Sequence, residues 1–297
     1  MKGLQSITEK FDTGRLVIVI PTRNRAAELK CLVKDLLLLD ISASFIIVDS
    51  SDFPLRKSDL NLDNSIVIYS RLKSAAHQRN LALRQIYENT IYRDCKYVLF
   101  LDDDVRLKSD FATKLLIELT LDEDVVGISP LVNHGEIKPS VIERLFPGKV
   151  LPGAVNVSAS GARHDSRIAW LIGCSLWRLD TLREHLHYFE GDFLGQSVFE
   201  DVIFSTRIRK TGGKLALSNV PLRHDISSSG RPDPRKGMSE WTMNRYRYVE
   251  SFNCLMATFL LANLLMCLRQ IFGFSKRDRR QSLQGVIIGT RRLFMSL

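Results

Sequence analysis

The chain has 297 residues, 45% of them hydrophobic and 25% charged, enough to bury a substantial core without covalent staples. Its five cysteines (Cys31, Cys95, Cys174, Cys254 and Cys267) are odd in number and never in Cys-x-x-Cys spacing, which argues against a zinc knuckle or a disulfide framework and points to a reducing compartment. The net charge of +9 favours polyanionic partners, but the body of the chain carries no nucleic-acid-binding motif, so nucleic acid is not expected as a partner.

The N-terminal stretch MKGLQSITEKFDTGR has no apolar segment of the kind a secretory signal needs. Leu16-Val17-Ile18-Val19-Ile20 reads as a strand buried on both faces, stopped by Pro21 and the polar turn Thr22-Arg23-Asn24-Arg25. A helix is predicted over 26–39, a second buried strand over 45–48 ending at Asp49-Ser50-Ser51-Asp52, and a third over 66–69. A helix over 75–87 follows, then a fourth strand over 97–101 that runs into Asp102-Asp103-Asp104. A helix over 111–119 and a fifth strand over 125–128 complete the regular part. The stretch 133–166, rich in Gly, Pro, Ser and His, reads as an irregular insertion. Beyond it are expected a strand over 168–172, helices over 179–187 and 198–210, and two short strands over 214–217 and 220–223. Residues 226–240 have the composition of a mobile loop, able to close over a diphosphate with Arg231, Arg235 and Lys236. From Trp241 the chain is expected to be helical, first amphipathic, then apolar, then basic.

Strands alternating with helices imply an α/β domain with a mostly parallel sheet and helices on both faces. Ligands in such sheets bind beyond the carboxyl ends of the strands, where Thr22 to Asn24, Asp49 to Asp52 and Asp102 to Asp104 are expected to converge. Adjacent carboxylates at a strand end suit Mg²⁺ or Mn²⁺, which take carboxylate, water and phosphate oxygens; a solvated acidic turn is the plainer alternative. Asp49 is either a turn-former or an acid for a ribose or base. Arg79 and Asn80 stand at the start of a helix whose small residues and N-terminus favour an anion, or they are ordinary features of a capped helix. Glu200-Asp201 could supply a general base or merely complement a helix dipole. His224 could ligate a metal or be structural.

The order of these segments, PTRNR after a buried strand, VDSSD, QRN, LDDD, WLIGCSLWR, FEDVIFSTRIRKTG and PLRHD, resembles the family 2 glycosyltransferases of the GT-A fold over roughly residues 16–225. The resemblance implies inverting transfer of a sugar from a nucleotide-diphosphate-sugar donor to a glycan or lipid-linked acceptor, as in bacterial surface polysaccharide or glycolipid assembly. It places Pro21, Thr22, Arg23, Asn24 and Asp49 against the nucleotide; Arg79 and Asn80 are expected at the donor from their place at a helix start. It implies Asp102 and Asp104 as the outer acids of a DxD motif, with Asp103 between them as a possible spectator. Asp104, Asp102 and His224 are the implied ligands of Mn²⁺ or Mg²⁺. Asp201 is the implied base, with Glu200 its possible substitute, and Trp170, Gly173 and Cys174 line the acceptor side. VDSSD departs from the more usual VDDGS, and 133–166 has no counterpart. The competing readings are a nucleotidyltransferase acting on a sugar phosphate, disfavoured by the absence of glycine in PTRNR, and a non-catalytic sugar-binding module of the same fold.

The sequence divides into a catalytic domain over 1–240 and an apolar and basic extension over 241–297. Cys254 to Leu268 is apolar for 15 residues, short of the ~20 that cross a bilayer. Seven basic residues and one acidic residue follow from Arg269 on. Apolar then basic is the pattern of a helix lying on an anionic membrane, so a cytoplasmic protein peripheral to the inner membrane face is expected. The alternatives are packing on the catalytic domain and a dimer interface.

Overall fold

The computed structural model describes residues 16–133, 139–162, 166–191, 193, 198–225, 227, 233–272 and 279–296. Its centre is an eight-stranded sheet in the order β3-β2-β1-β4-β9-β6-β10-β5. The strands are β1 (Leu16–Thr22), β2 (Ser44–Asp49), β3 (Ser65–Tyr69), β4 (Tyr97–Phe100), β5 (Val105–Arg106), β6 (Val125–Asn133), β9 (Ser175–Arg178) and β10 (Lys214–His224). The pairs β1–β2, β1–β4, β2–β3 and β6–β10 are parallel. β9 is antiparallel to both β4 and β6, and β5 antiparallel to β10. A separate hairpin, β7 (Val150–Leu151) with β8 (Val155–Asn156), lies outside the main sheet.

The continuous apolar run of β1 has a simple cause. Val17 and Val19 join one core cluster while Leu16, Ile18 and Ile20 join another, because successive side chains leave opposite faces of a strand. The first cluster is closed by α2 (Ala75–Glu88) and α6 (Glu200–Lys210), through Ala82, Leu83, Ile86, Val202, Ile203 and Ile208. The second is closed by α1 (Ala26–Leu36) and α3 (Phe111–Thr120), through Leu29, Leu32, Phe111 and Leu115. This is the α/β architecture expected, a mostly parallel sheet flanked by helices with a helical extension at the C-terminal end.

Several local expectations are corrected. Residues 168–172 form no strand; Arg167 makes an isolated bridge to Ala216, and the strand is β9, in which Trp177 fills the space left by Gly127. The two short strands over 214–223 are one strand, β10, whose register shifts between Leu217 and Pro221 because proline cannot donate to the ladder. The insertion contains α4 (Val141–Leu145), capped by Ser140 and Glu143, as well as the hairpin. The helices expected over 26–39 and 179–187 stop at Leu36 and, in α5 (Leu179–Glu184), at Glu184.

The largest correction lies in 226–240. Arg231 is outside the described residues, but Arg235 and Lys236 belong to α7 (Pro234–Ser251) and not to a loop. Asp233 accepts from the Arg235 and Lys236 amides, and Pro234 occupies the first turn, a strong helix start hidden within a proline-rich composition. Then come α8 (Met256–Phe272) and α9 (Arg279–Ser296). Gly285 and Gly289 bring α9 onto α7; a Cβ on Gly285 would lie 2.4 Å from the Arg235 carbonyl oxygen.

Arg245 of α7 is fully buried. Its guanidinium donates to the Ala154 carbonyl at 2.9 Å, to the Gly153 carbonyl, and to Asn263 Oδ1 of α8 at 2.7 Å. It also lies over the rings of Trp241 and Phe259. Removing it strands two carbonyls and one amide away from water. Arg245→Ala is therefore expected to lower unfolding stability by ~3 kcal/mol or more in a urea titration, with Arg245→Lys recovering only part because a point ammonium cannot serve a fork of acceptors.

Candidate active site

Most of the candidate residues gather at the carboxyl ends of β1 and β4, around a cavity of about 710 Å³. Asp102, Asp103 and Asp104 leave β4 on a tight turn that leads at once into β5. Pairing of β5 with β10 sets His224 opposite Val105 and so beside Asp104, across 120 residues of chain. His224 Nε2 lies 2.8 Å from Asp104 Oδ1.

Ligand atoms of Asp102, Asp104 and His224 all lie within 4.8 Å of one another. Neighbouring ligands of one cation, each at ~2.1 Å in octahedral geometry, stand ~3 Å apart, so these residues fit a divalent ion with little movement. The two carboxylates suit Mg²⁺ or Mn²⁺, and the imidazole is the ligand of the three that Mg²⁺ takes least readily.

Each acid is held differently. Asp103 is buried; the Thr22 hydroxyl donates to it at 2.7 Å and Arg25 at 2.9 Å. Burial pushes its carboxyl up to about 6, against the opposing pull of Arg25 and the Thr22 hydrogen bond. It lines the cavity while bracing the turn. Asp104 would also be raised by burial, but hydrogen bonds from His224 and the Ser227 amide, with the charges of His224 and Arg25, outweigh this and hold it below the usual range. Asp102 is more open. Its amide donates to Cys174 Sγ at 3.2 Å, and its Oδ1 accepts from Arg79 at 2.8 Å.

Arg79 connects this turn to the second acidic pair. It is only 3% exposed, and its other Nη atom is ion-paired with Glu200, itself 4% exposed. Gly173 makes room for the guanidinium, since a Cβ there would lie 2.8 Å from Nη2. Glu200 and Asp201 form the first turn of α6, which is entered through Phe199 at φ +86°, an unfavourable conformation for an aromatic residue. Phe199 is buried edge-to-face against Tyr248 of α7, and this packing holds the strained entry. Glu200 Oε2 is buried without a hydrogen-bond partner among the described residues. Asp201 reaches the cavity but is enclosed enough that burial raises its carboxyl to about 6, partly offset by Arg79 and the Val202 amide.

Of the residues expected at the site, Pro21, Thr22, Arg23, Asn24, Arg79, the three aspartates, Trp170, Gly173, Glu200, Asp201 and His224 all line the cavity. Three others lie behind its wall. Asp49 is buried and accepts the Ser51 and Leu55 amides at 2.8 Å each, ordering its own loop. Asn80 exchanges two hydrogen bonds with the backbone of Phe189. Cys174 supports Asp102 from beneath.

Other lining residues were not singled out from sequence. Arg25 bridges Asp103 and Asp104, and Gln78 donates to the Thr22 and Val48 carbonyls, tying the ends of β1 and β2 together. Lys73, Asn156 and Glu240 complete the wall with Lys236. Arg25 was within reach of sequence reading, since a guanidinium in a strand-end turn is a natural counterion for acids at a neighbouring strand end. Asn156 and Glu240 carry no local signal.

No family model and no curated protein sequence matches the chain. Among solved structures it is similar to S. aureus TarS 1–349, with 14% identity and a TM-score of 0.51 over 92% of this chain and 70% of that one. It is also similar to a longer S. aureus TarS structure, at 15% identity and a TM-score of 0.53, covering 88% of this chain and 44% of that one. A third neighbour is the mannosyltransferase PcManGT from Pyrobaculum calidifontis in complex with GDP-Man and Mn²⁺, at 16% identity and a TM-score of 0.52, covering 92% and 69%. At these identities the likeness is one of fold, and the fold of this chain is the α/β fold of GT-A glycosyltransferases.

Proposed function

We propose that this protein is a metal-dependent glycosyltransferase that moves a sugar from a nucleotide diphosphate to an acceptor hydroxyl with inversion. The observation that carries this reading is the coexistence, in one cavity, of an Asp102-Asp104-His224 cluster and a Glu200-Asp201 pair joined by a single buried arginine. The fold shared with a mannosyltransferase that binds GDP-Man and Mn²⁺ supports it.

In this reading the nucleotide lies along the ends of β1 and β4, against Pro21 to Asn24. A divalent ion held by Asp102, Asp104 and His224 would neutralise the charge that develops on the departing diphosphate. Arg23, Lys73 and Lys236 face the same cavity and add positive charge near the phosphates. The acceptor enters past Trp170 and Gly173, and Asp201 takes the proton of its hydroxyl as the new glycosidic bond forms. The bond from the anomeric carbon to the phosphate oxygen breaks on the opposite face, and the electron pair leaves with the diphosphate. In this reading Asp201 is the base because Glu200, which also lines the cavity, is ion-paired to Arg79, and because the raised pKa of Asp201 suits proton transfer near neutrality. Glu200, sealed against Arg79, positions that turn of helix. Asp49 acts at one remove, through the loop it orders.

Four outcomes test this. Calorimetric titration with GDP, UDP and dTDP should give binding to at least one nucleotide in Mn²⁺ and none in EDTA, and Asp104→Asn should abolish the metal-dependent part. Asp201→Asn should lower turnover by ~10²–10⁴ while nucleotide affinity stays within about twofold, whereas Glu200→Gln should disturb stability as much as rate. The pH profile should follow from the sign of the shift. A base whose carboxyl is raised to about 6 is protonated below that value, so kcat/KM should fall as pH drops through about 6, and Asp201→Glu should move that limb. Proton NMR of the product should show the anomeric configuration opposite to the donor's; a retained configuration would remove Asp201 from the role of in-line base.

A further inference from the structure

We propose that the outer face of α8 is a docking surface for an anionic lipid bilayer, on which the helix lies without crossing. α8 has two faces with different occupants. Phe259, Ala262 and Asn263 are buried against the domain. Asn263 is held by Arg245, and Gly153 of the β7–β8 hairpin approaches so closely that a Cβ there would lie 2.5 Å from the Thr258 carbonyl oxygen. That face is fully engaged by the protein.

The opposite face carries Leu260, Leu261, Leu264, Leu265, Leu268 and Ile271, each between 36% and 57% exposed. Their spacing of three and four residues makes one continuous stripe along the helix. No charged residue occurs between Glu250 and Arg269, so nothing on the helix interrupts the stripe before its last turn. A contiguous apolar surface of this kind, rigidly presented, marks an interaction site. Among the described residues no helix is long and apolar enough to span a membrane, so the stripe suits the interfacial plane and not the bilayer interior.

Charge selects the occupant. From Arg269 to the last residue there are seven basic residues and one acidic, a net +6. Arg280, Arg291 and Arg292 are exposed on α9, which packs against both α7 and α8. Two copies meeting through their α8 faces would bring two such segments together and repel. An anionic bilayer satisfies both features, taking leucines at the acyl boundary and arginines among the headgroups, each basic side chain adding ~1 kcal/mol near such a surface. The surface is defined by α8 and α9 alone and does not depend on the transfer reaction.

The test is vesicle flotation of the full-length protein, with vesicles of equal parts phosphatidylglycerol and phosphatidylcholine, and of phosphatidylcholine alone. The protein should float with the anionic vesicles, far less with the neutral ones, and be partly released at ~1 M salt, where screening shortens to ~3 Å. The variant Leu261→Gln/Leu264→Gln/Leu265→Gln changes only exposed side chains, so it should keep its circular dichroism and melting temperature while binding about tenfold weaker or less. Should that variant unfold, Leu264→Gln alone serves the comparison. The variant Arg280→Gln/Arg291→Gln/Arg292→Gln should lose the preference for anionic vesicles. Wild-type protein that ignores anionic vesicles, or leucine variants that float as well as wild type, would overturn the proposal. A wild-type dimer in light scattering that becomes monomeric in the leucine variant, without flotation of either, would assign the face to a second copy instead.

Discussion

The rest of the site depends on one electrostatic constraint: six carboxylates, Asp102, Asp103, Asp104, Glu200, Asp201 and Glu240, line a single cavity. Two like charges ~4 Å apart cost about 4 kcal/mol at an effective dielectric of about 20, and burial adds to this. The fold meets the cost with two fixed guanidinium groups and one hydrogen-bonding imidazole at particular points. Arg25 spans Asp103 and Asp104, His224 stands against Asp104, and Arg79 spans Asp102 and Glu200. Where that compensation is incomplete the proton is retained more tightly, as at Asp103 and Asp201, both raised to about 6 by burial. The same arrangement keeps Asp104 readily ionised. One cavity therefore offers an anionic cluster able to hold a divalent ion and, one arginine away, a carboxylate with a higher proton affinity.

Arg79 makes the two acidic groups interdependent. Its fork is filled on one side by Asp102 and on the other by Glu200, and Gly173, lacking a Cβ, makes the room it occupies. A shift of α6 would be transmitted to the aspartate turn, and the reverse. The strained entry at Phe199 belongs to the same system, because it is held by Tyr248 of α7 and by the packing of α6 on the sheet.

α7 is the element through which the C-terminal helices bear on the cavity. Its first turns contribute Lys236 and Glu240 to the wall, and Arg245, nine residues after Lys236 and so about 13 Å along the axis, anchors α8. Glycines 285 and 289 let α9 lie close against the same helix. A wall of this kind is set by the packing of three helices, which is why reading 226–240 as a loop missed it: proline, serine and glycine content does not disclose the capped helix that begins at Pro234.

Much of the sheet was legible in the chain because a strand buried on both faces has little choice of composition. The runs at 16–20, 45–48 and 97–101 could hardly be anything else, and polar residues at their ends mark where a ligand can approach. The candidate acids were legible for the same reason, since charge at the end of a buried strand needs an explanation. What the sequence could not disclose is whatever depends on non-local pairing. The two-residue strand β5 has no periodicity, yet its pairing with β10 is what brings His224 to Asp104. Antiparallel β9 inserts between β4 and β6 because Trp177 fills the space over Gly127, a fit between residues 50 apart in the chain. Asp49 and Asn80 look as available in sequence as Asp102 and Arg79; only the folded chain, by supplying backbone partners to the first two, directs them away from the cavity. Local patterning determined which segments would be buried and where charge would collect, because hydrophobic burial acts on each segment by itself. Which charges meet was decided by the tertiary structure, because hydrogen bonds and ion pairs require two groups to arrive within about 3 Å, and no local rule carries that distance.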